Sequence, residues 1–423
     1  MQLGQQKGEG GVMTSELQVN GERLLASLNA LGEIGALPQG GVCRLALSDE
    51  DKQGRDWTVA RMQALGLAIS VDAIGNVVGV YPGLIDAPPV MIGSHIDTVA
   101  TGGLYDGNYG VLSGLEVIAT LKENGLRLRR PVAVAFFTNE EGARFQPDMM
   151  GSLVYQGGLA LETALATRGI DGVIVGEALR RIGYDGTGSV GENRVDSYFE
   201  LHIEQGPVLD EAGISIGVVE GVQGISWTEF QLQGVSNHAG TTPMRLRRDA
   251  GYVAAQIDVF ARQLAQTLGG DQVATVGHAV FSPNLVNVIP DKVTLTVDLR
   301  NTDAEALREA EQRLWAFAEQ AAEDEGIALR RQSLARFEPT PFAPEMVALV
   351  EAQARKRGLA FRRMPSGAGH DAQIMAEMCP AGMIFVPSVA GLSHNTQEFT
   401  APKDLIAGAN VLLGAVVQRA DRV

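Results

Sequence analysis

Four of the six histidines stand where a side chain could bind a metal ion. His95, His202, His238 and His394 lie in polar segments that follow apolar runs or adjoin glycines. A single loop histidine is more often structural or merely exposed, so a metal site is indicated only where several ligand types come together. Such a set would support metal-assisted hydrolysis.

The segment His95-Ile96-Asp97 joins an imidazole to a carboxylate directly after the apolar run 89–94. Residues two apart in a strand point to the same side, so the Asp97 carboxylate is expected to accept the second imidazole N–H of His95 and fix its tautomer. Taken alone, an exposed strand end explains this segment equally well.

Three further carboxylates accompany these histidines. Asp106 lies in GGLYDGNYG, where glycines allow close backbone approach and a carboxylate could bridge two cations, although in isolation a turn aspartate or helix cap is the better interpretation. Glu140 and Glu141 follow the apolar run VAVAFF, and neighbouring residues that leave a strand point in different directions. One of the pair can therefore bind metal while the other acts as a base, because burying both without cations would be costly.

His202 and His394 complete the candidate metal site. Mixed nitrogen and oxygen ligands suit Zn²⁺, with Mn²⁺, Co²⁺ or Ni²⁺ as alternatives. The residue pattern leaves open which histidine joins which ion.

The elements that position these residues follow an α/β pattern. The apolar runs 76–82, 89–94 and 132–137 predict strands buried on both faces, with a helix over 110–122. Ligands in such sheets gather at the carboxyl ends of the strands, and the runs at 89–94, 132–137 and 198–201 all lead into candidate ligands.

The pattern changes after about residue 220, where alternating strands and helices at 249–268 and 304–325 predict a β-α-β-β-α unit. We expect an inserted domain over 217–335, a discontinuous catalytic domain over 19–216 and 336–423, and a disordered leader over 1–18.

Charge and composition exclude several classes of partner. Fifty acidic against thirty-four basic residues give a net charge of −16, which disfavours nucleic acid and anionic membranes. With two cysteines, no signal pattern and no long apolar run, a soluble cytoplasmic protein is expected.

Six motifs in order, GSHIDTV, GLYDGNYG, TNEEGARF, HIEQGP, SNHAGTTPM and LSHN, resemble one known family from about residue 20 onward. It is that of the N-carbamoyl-L-amino-acid hydrolases, allantoate amidohydrolases and β-ureidopropionases, within the aminoacylase and carboxypeptidase-type dinuclear metallohydrolases. The resemblance implies a larger mixed-sheet catalytic domain of the zinc-peptidase type with an inserted α+β dimerisation or lid domain.

The resemblance also assigns roles to residues of the metal centre. It implies His95 and His202 on one ion, Glu141 and His394 on the other, and Asp106 bridging. Glu140 becomes the general base.

Substrate contacts carried over from the family are Gln205, Asn287, Arg300 and Gly369, together with His238 contributed across a homodimer. On pattern alone Arg300 alternates with Asp298, which favours an exposed ion pair; the resemblance instead implies a bidentate grip on a substrate carboxylate. His370 could be a helix cap.

The implied activity is hydrolysis of the ureido C–N bond of N-carbamoyl-L-amino acids to amino acid, ammonia and carbon dioxide. Allantoate and β-ureidopropionate are the alternative substrates. A binding protein that has lost catalysis is a remote alternative, because the base and all five ligands are present.

Overall fold

The computed structural model describes residues 17–191 and 194–421. Residues 1–16 of the predicted leader lie outside the described residues, while Leu17, near its other end, is already buried. No helix within the described ranges has the length and apolar character needed to cross a membrane.

The described chain contains thirteen strands and twelve α-helices. The strands are β1 (Ala68–Val71), β2 (Val77–Tyr81), β3 (Val90–His95), β4 (Val132–Phe137), β5 (Ser197–Ile203), β6 (Ile216–Val222), β7 (Gly224–Gln233), β8 (Val273–Ser282), β9 (Lys292–Asn301), β10 (Ala328–Phe337), β11 (Thr340–Pro341), β12 (Phe361–Ser366) and β13 (Ala381–Val386). The helices are α1 (Gly21–Gly32), α2 (Asp49–Ala64), α3 (Asn108–Glu123), α4 (Met150–Gln156), α5 (Leu161–Ala166), α6 (Val175–Ile182), α7 (Val208–Ala212), α8 (Ala250–Leu268), α9 (Ala304–Glu325), α10 (Pro344–Lys356), α11 (Asp371–Met375) and α12 (Pro402–Ala420).

The chain divides into two compact units. The first takes in the described chain up to Glu220, then Phe342–Met364, and then the chain from Gly369 onward. The second comprises Gly221–Pro341 and Pro365–Ala368. The second unit therefore begins four residues later and ends six residues later than the expected 217–335, and its short second segment starts within the last two residues of β12.

The first unit is built on a mixed sheet, as the sequence predicts. Strands β4, β3, β5 and β13 are parallel neighbours, while β1, β2 and β6 pair antiparallel at either side. The four parallel strands are buried along their whole length because helices cover both faces of such sheets. Their carboxyl ends consequently meet at one edge, where side chains from separate strands can converge.

The second unit is an antiparallel sheet in the order β10-β7-β9-β8, with α8 and α9 packed against it. Along β9 every second residue is buried, as expected for a sheet with one packed face. Its core includes Phe230, Ile257, Leu295 and Leu314.

One strand of this unit was missing from the predicted β-α-β-β-α series. β10 follows α9 and pairs antiparallel with β7, so the series is β-α-β-β-α-β. Its sequence, ALRRQSLARF, carries three arginines and its side chains are mostly exposed. An edge strand of this kind has no apolar alternation for sequence analysis to detect.

Candidate metal centre and active site

The candidate ligands come from the carboxyl ends of neighbouring parallel strands. His95 is the last residue of β3 and lies opposite Phe137, the last residue of β4. His202 lies in β5 opposite Phe385 of β13, and His394 follows β13 in the chain. The fold thus brings together four of the predicted chain segments that carry metal ligands.

Asp106 lies between two groups of candidate ligands. Its Oδ1 is 3.1 Å from His202 Nε2 and 3.4 Å from His95 Nε2. Its Oδ2 is 3.5 Å from His394 Nε2, which is also 3.2 Å from Glu141 Oε2. The two groups, His95-Asp106-His202 and Asp106-Glu141-His394, therefore share Asp106.

These spacings fit metal coordination. Zinc ligands lie about 2.1 Å from the ion, so two atoms on the same tetrahedral ion are about 3.4 Å apart. The nitrogen-to-oxygen distances within the two groups run from 3.1 to 3.5 Å, close to that separation. The arrangement suits one cation in each group with Asp106 bridging.

Backbone carbonyls set the tautomers of the two buried histidines. His95 Nδ1 is 2.9 Å from the carbonyl oxygen of Asp97, and His202 Nδ1 is 2.8 Å from that of Ile203. Each Nδ1 therefore carries the proton and donates it, which leaves the Nε2 lone pair to face Asp106.

The expected role of the Asp97 carboxylate is wrong in detail. Its Oδ1 is 4.0 Å from His95 Nδ1, too far for a hydrogen bond, because the chain turns so that the carbonyl takes that position. The carboxylate instead accepts the backbone N–H groups of Glu140 and Glu141, each at 3.3 Å. Asp97 thus orients the candidate ligand His95 with its carbonyl and the backbone of the acidic pair with its side chain.

Glu140 and Glu141 point to different partners, as their positions beyond β4 predict. Asn139 just before them is left-handed, with φ of 58°, and its side chain donates to the Phe145 carbonyl. Glu140 Oε2 lies 3.4 Å from His95 Nε2, whereas Glu141 faces His394. Burial raises the pKa of the Glu140 carboxyl well above its ordinary value, although nearby His95 opposes the rise. A carboxylate whose pKa is raised accepts a proton more readily, which suits a general base.

Gly107 allows the Asp106 segment to reach the histidines. Its φ is 65°, and a Cβ there would lie 2.4 Å from the His95 ring. Its N–H donates to His202 Nε2 at 3.2 Å. Here a glycine is required both for the left-handed backbone and for the close approach.

Arg44, which sequence analysis missed, links the segment after His95 to the segment after Asp106. It is fully buried and donates to the carbonyl of Ile96 at 2.7 Å and to Asn108 Oδ1 at 2.8 Å. Truncation would leave buried acceptors unpaired at about 1–3 kcal/mol each. Nothing in the sequence around Arg44 distinguishes it from a surface arginine.

Gln205 was predicted to contact substrate and lies beside the second ligand group. Its φ is 60°, and its Nε2 donates to Asp106 Oδ2 at 2.8 Å. Its Oε1 is buried without a hydrogen-bond partner among the described residues. An orphaned acceptor beside Asp106 and His394 is ready for a donor on a ligand.

A third cluster joins Glu200, His202 and His370. Glu200 accepts from Ser94 Oγ at 2.7 Å and from the backbone N–H of Ala372 at 2.7 Å, so its oxygens already have partners. His370 is the N-cap residue of α11, as suggested, although its side chain makes no capping hydrogen bond. Its ring instead packs edge-on against His202 with centroids 4.6 Å apart.

Gly369 lies in the first unit, directly before His370, and is partly exposed. A Cβ there would lie 3.1 Å from Met149 Cε.

His238 and Asn287 occupy adjacent loops of the second unit. Both are exposed, and the N–H of Ala239 donates to the Asn287 carbonyl at 3.0 Å. His238 Nδ1 accepts the N–H groups of Gly240 at 3.0 Å and Thr241 at 3.3 Å. The proton of the neutral ring therefore sits on Nε2, which makes that atom a donor.

Arg300 forms the ion pair that the residue pattern alone predicted. Its Nη2 lies 2.9 Å from Asp298 Oδ2 and its Nε 3.2 Å from Oδ1, while Nη1 donates to the Gly367 carbonyl at 2.6 Å. One edge of the guanidinium is thus engaged by Asp298. The Nη1–Nη2 edge is the one from which it could grip a second carboxylate.

Comparisons with known proteins agree with this arrangement. Residues 91–418 match the model of peptidase family M20/M25/M40. An N-carbamoyl-L-amino-acid amidohydrolase of Rhizobium meliloti is 41% identical over 96% of this chain and 98% of its own. An allantoate amidohydrolase of Escherichia coli is 37% identical over 90% of this chain and 94% of its own. The crystal structure of an amidase of the hydantoinase/carbamoylase family from Burkholderia multivorans superposes with a TM-score of 0.94 at 42% identity, covering 96% of this chain and 99% of that one.

Proposed function

The chain belongs to peptidase family M20/M25/M40, and we propose that it hydrolyses the ureido C–N bond of N-carbamoyl-L-amino acids. Proteins of this family depend on metal ions. The observation that carries the proposal is that three histidine Nε2 atoms and the Glu141 carboxylate lie around Asp106, with Glu140 buried beside them. The relatives named for carbamoyl amino acids and for allantoate support a ureido substrate.

Two cations complete the site in this proposal, Zn²⁺ being the best match to the ligands. His95 and His202 would hold one ion, Glu141 and His394 would hold the other, and the Asp106 carboxylate would serve both. When bound, the ions lower the pKa of water and polarise the substrate carbonyl.

The remaining chemistry belongs to side chains. Glu140 takes a proton from the attacking water while the water oxygen bonds to the ureido carbon. The protonated Glu140 then returns this proton to the leaving nitrogen. His238 donates its Nε2–H to the oxyanion, a role supported by the two N–H groups that hold Nδ1 as an acceptor. This water cleaves one bond between the ureido carbon and a nitrogen and leaves a carbamic acid. The carbamic acid then loses carbon dioxide by breaking the second C–N bond, so that the net products are amino acid, ammonia and carbon dioxide.

Substrate recognition is assigned to Arg300, Asn287, Gln205 and Gly369. Arg300 grips the substrate carboxylate through its Nη1–Nη2 edge, since Asp298 already occupies the other. Gln205 offers its orphaned Oε1 to a substrate N–H.

A homodimer through the second unit supplies His238 of the partner subunit to each metal centre. The assignment is supported by β8, an edge strand of the small sheet with exposed apolar side chains such as Val280 and Phe281. Apolar surface at a sheet edge favours pairing with another chain.

Allantoate is the second candidate substrate, because it also presents a carboxylate and a ureido group to Arg300 and the metal centre. The relative named allantoate amidohydrolase favours it. A β-ureidopropionate would place its carboxylate one carbon farther from the ureido group.

A substrate panel decides between these candidates. Ammonia release is measured with N-carbamoyl-L-amino acids of small and large side chain, their D-enantiomers, allantoate and β-ureidopropionate. We expect the highest kcat/KM with an N-carbamoyl-L-amino acid, and Glu140→Gln serves as the inactive control. A preference for allantoate would replace the proposed substrate, and ammonia release from none of them would contradict the ureido assignment.

A further inference from the structure

We propose that Glu398 is a positioning residue that holds the Asp106 and His394 segments at the spacing needed by the ion between Glu141 and His394. The inference rests on the two-ion centre of the proposed function. Glu398 is not itself a ligand in that scheme, and it acts through its neighbours.

Glu398 reaches both segments from a buried position. Its side chain is 5% exposed, and its Oε1 accepts the backbone N–H groups of Tyr105 at 3.0 Å and Asp106 at 3.3 Å. Its Oε2 lies 3.4 Å from the hydroxyl of Ser393, the residue directly before His394. One carboxylate therefore links the segment that carries Asp106 to the segment that carries His394.

Ser393 extends this link to the bridging carboxylate. Its Oγ lies 3.2 Å from Asp106 Oδ2 as well as 3.4 Å from Glu398 Oε2. Oδ2 is the Asp106 oxygen near His394, whereas Oδ1 faces His95 and His202. Loss of Glu398 should therefore disturb the second ion more than the first.

Gly103 leaves room for the side chain of Glu398 because it has no Cβ. A Cβ at Gly103 would lie 2.2 Å from Glu398 Oε1 and 2.4 Å from its Cβ, closer than any real contact. The φ of Gly103 lies outside the left-handed region, so backbone conformation does not explain this glycine. The close approach of Glu398 does explain it.

A simpler alternative is that Glu398 only stabilises a loop. A buried carboxylate with several donors contributes to stability wherever it lies. The two roles differ in what they predict for ion binding, since a purely structural residue would change stability and leave the relative affinity of the two ions alone.

The test measures Zn²⁺ binding to the full-length protein in competition with a chromophoric chelator, alongside the visible spectrum of the Co²⁺-substituted protein. In Glu398→Met we expect one ion to stay tight and the second to weaken about 10–100-fold, the usual effect of losing a residue that supports a ligand. Glu398→Gln should stay within about threefold of wild type, because its amide oxygen still accepts both N–H groups and its NH₂ can donate to Ser393.

Gly103→Ala provides an independent route to the same defect. It should weaken the second ion as Glu398→Met does, and the double variant should be little worse than either single one, because both remove one interaction. It also carries the test if Glu398→Met does not yield folded protein.

Glu116→Gln is the matched structural control. Glu116 is 4% exposed, and within the described ranges its carboxylate accepts hydrogen bonds from Asn20, Arg23 and Thr120, none of which belongs to the ligand groups. This variant should lower Tm and leave both ions unchanged.

The outcomes distinguish a failure of the positioning role of Glu398 from a failure of the two-ion centre on which it rests. Wild-type protein that binds a single ion would contradict the two-ion centre. If wild type binds two, the positioning role fails in any of three cases: Glu398→Met keeps both ions at wild-type affinity, it weakens both equally, or Glu398→Gln behaves like the methionine variant.

Discussion

Replacing each of the adjacent acids Glu140 and Glu141 by glutamine tests the division of labour at the centre. Their backbone N–H groups share one anchor, the Asp97 carboxylate, at 3.3 Å each. Their side chains diverge, toward His95 at 3.4 Å and toward His394 at 3.2 Å. Glutamine keeps the shape of both, so each variant serves as the control for the other.

The expected magnitudes differ in kind. A positioned general base contributes about 10²–10⁴-fold in rate, so Glu140→Gln should lose that factor in kcat while retaining its ions. At about 1.36 kcal/mol for each tenfold change, the loss corresponds to about 2.7–5.4 kcal/mol of transition-state stabilisation. Glu141→Gln removes a proposed ligand and should lower the affinity for the second ion by about 100-fold or more, since even residues that support a ligand account for about 10–100-fold.

The assay combines ammonia release with metal analysis on the same preparations. Excess Zn²⁺ should restore much of the activity of Glu141→Gln and none of that of Glu140→Gln. The scheme is wrong if both variants lose metal, if both keep it, or if added Zn²⁺ rescues the two alike.

Three further outcomes follow from the same site. Chelation should abolish turnover and lower Tm. An ion present at about 100 to 1,000 times its Kd adds about 2.7–4.1 kcal/mol to the free energy of unfolding, and removing the ion removes that stabilisation. Full activity in protein shown by metal analysis to be free of ions would contradict this prediction. Arg300→Lys should raise KM for a carboxylate substrate by about tenfold or more with little change in kcat, since a charge-assisted hydrogen bond is worth about 1.5–3 kcal/mol, and an unchanged KM would place the carboxylate elsewhere. Equimolar mixing of His238→Ala with Glu140→Gln under subunit exchange should restore about a quarter of wild-type activity, because half the dimers are mixed and each mixed dimer has one intact site of two. If mass spectrometry proves the exchange and no activity returns, a site shared between subunits is excluded.

Elements with a strong periodic pattern were predicted closely from the sequence. α8 and α9 begin within one residue of the expected starts, after Asp249 and Asp303, whose side chains cap them. Asn20 caps α1 in the same way. By contrast, the start of α2 at Asp49 could not be predicted from periodicity, because its first turns are almost wholly polar and show no apolar stripe.

At the site, residue types could be predicted and contacts could not. The convergence of His95, Asp106, Glu141, His202 and His394 follows from strand ends that meet at one edge. That the Asp97 carbonyl rather than its carboxylate holds His95 depends on a turn, and no side-chain pattern encodes it. Glu398 escaped notice because a glutamate four residues after His394 looks like any surface acid until its burial is known.

The order of the candidate ligands along the chain also determines when each of them is synthesised. Four of the five candidate ligands lie at or before His202, whereas the fifth, His394, comes only after the whole second unit. At about 5–20 residues per second, a ribosome needs roughly 10 to 40 seconds to travel from one to the other. For nearly all of that interval the nascent chain carries four of the five candidate ligands on an unfinished sheet, because β13 has not yet been made and cannot pair with β5. If these five residues hold the proposed ions, complete metal loading is a late event in the biogenesis of this protein.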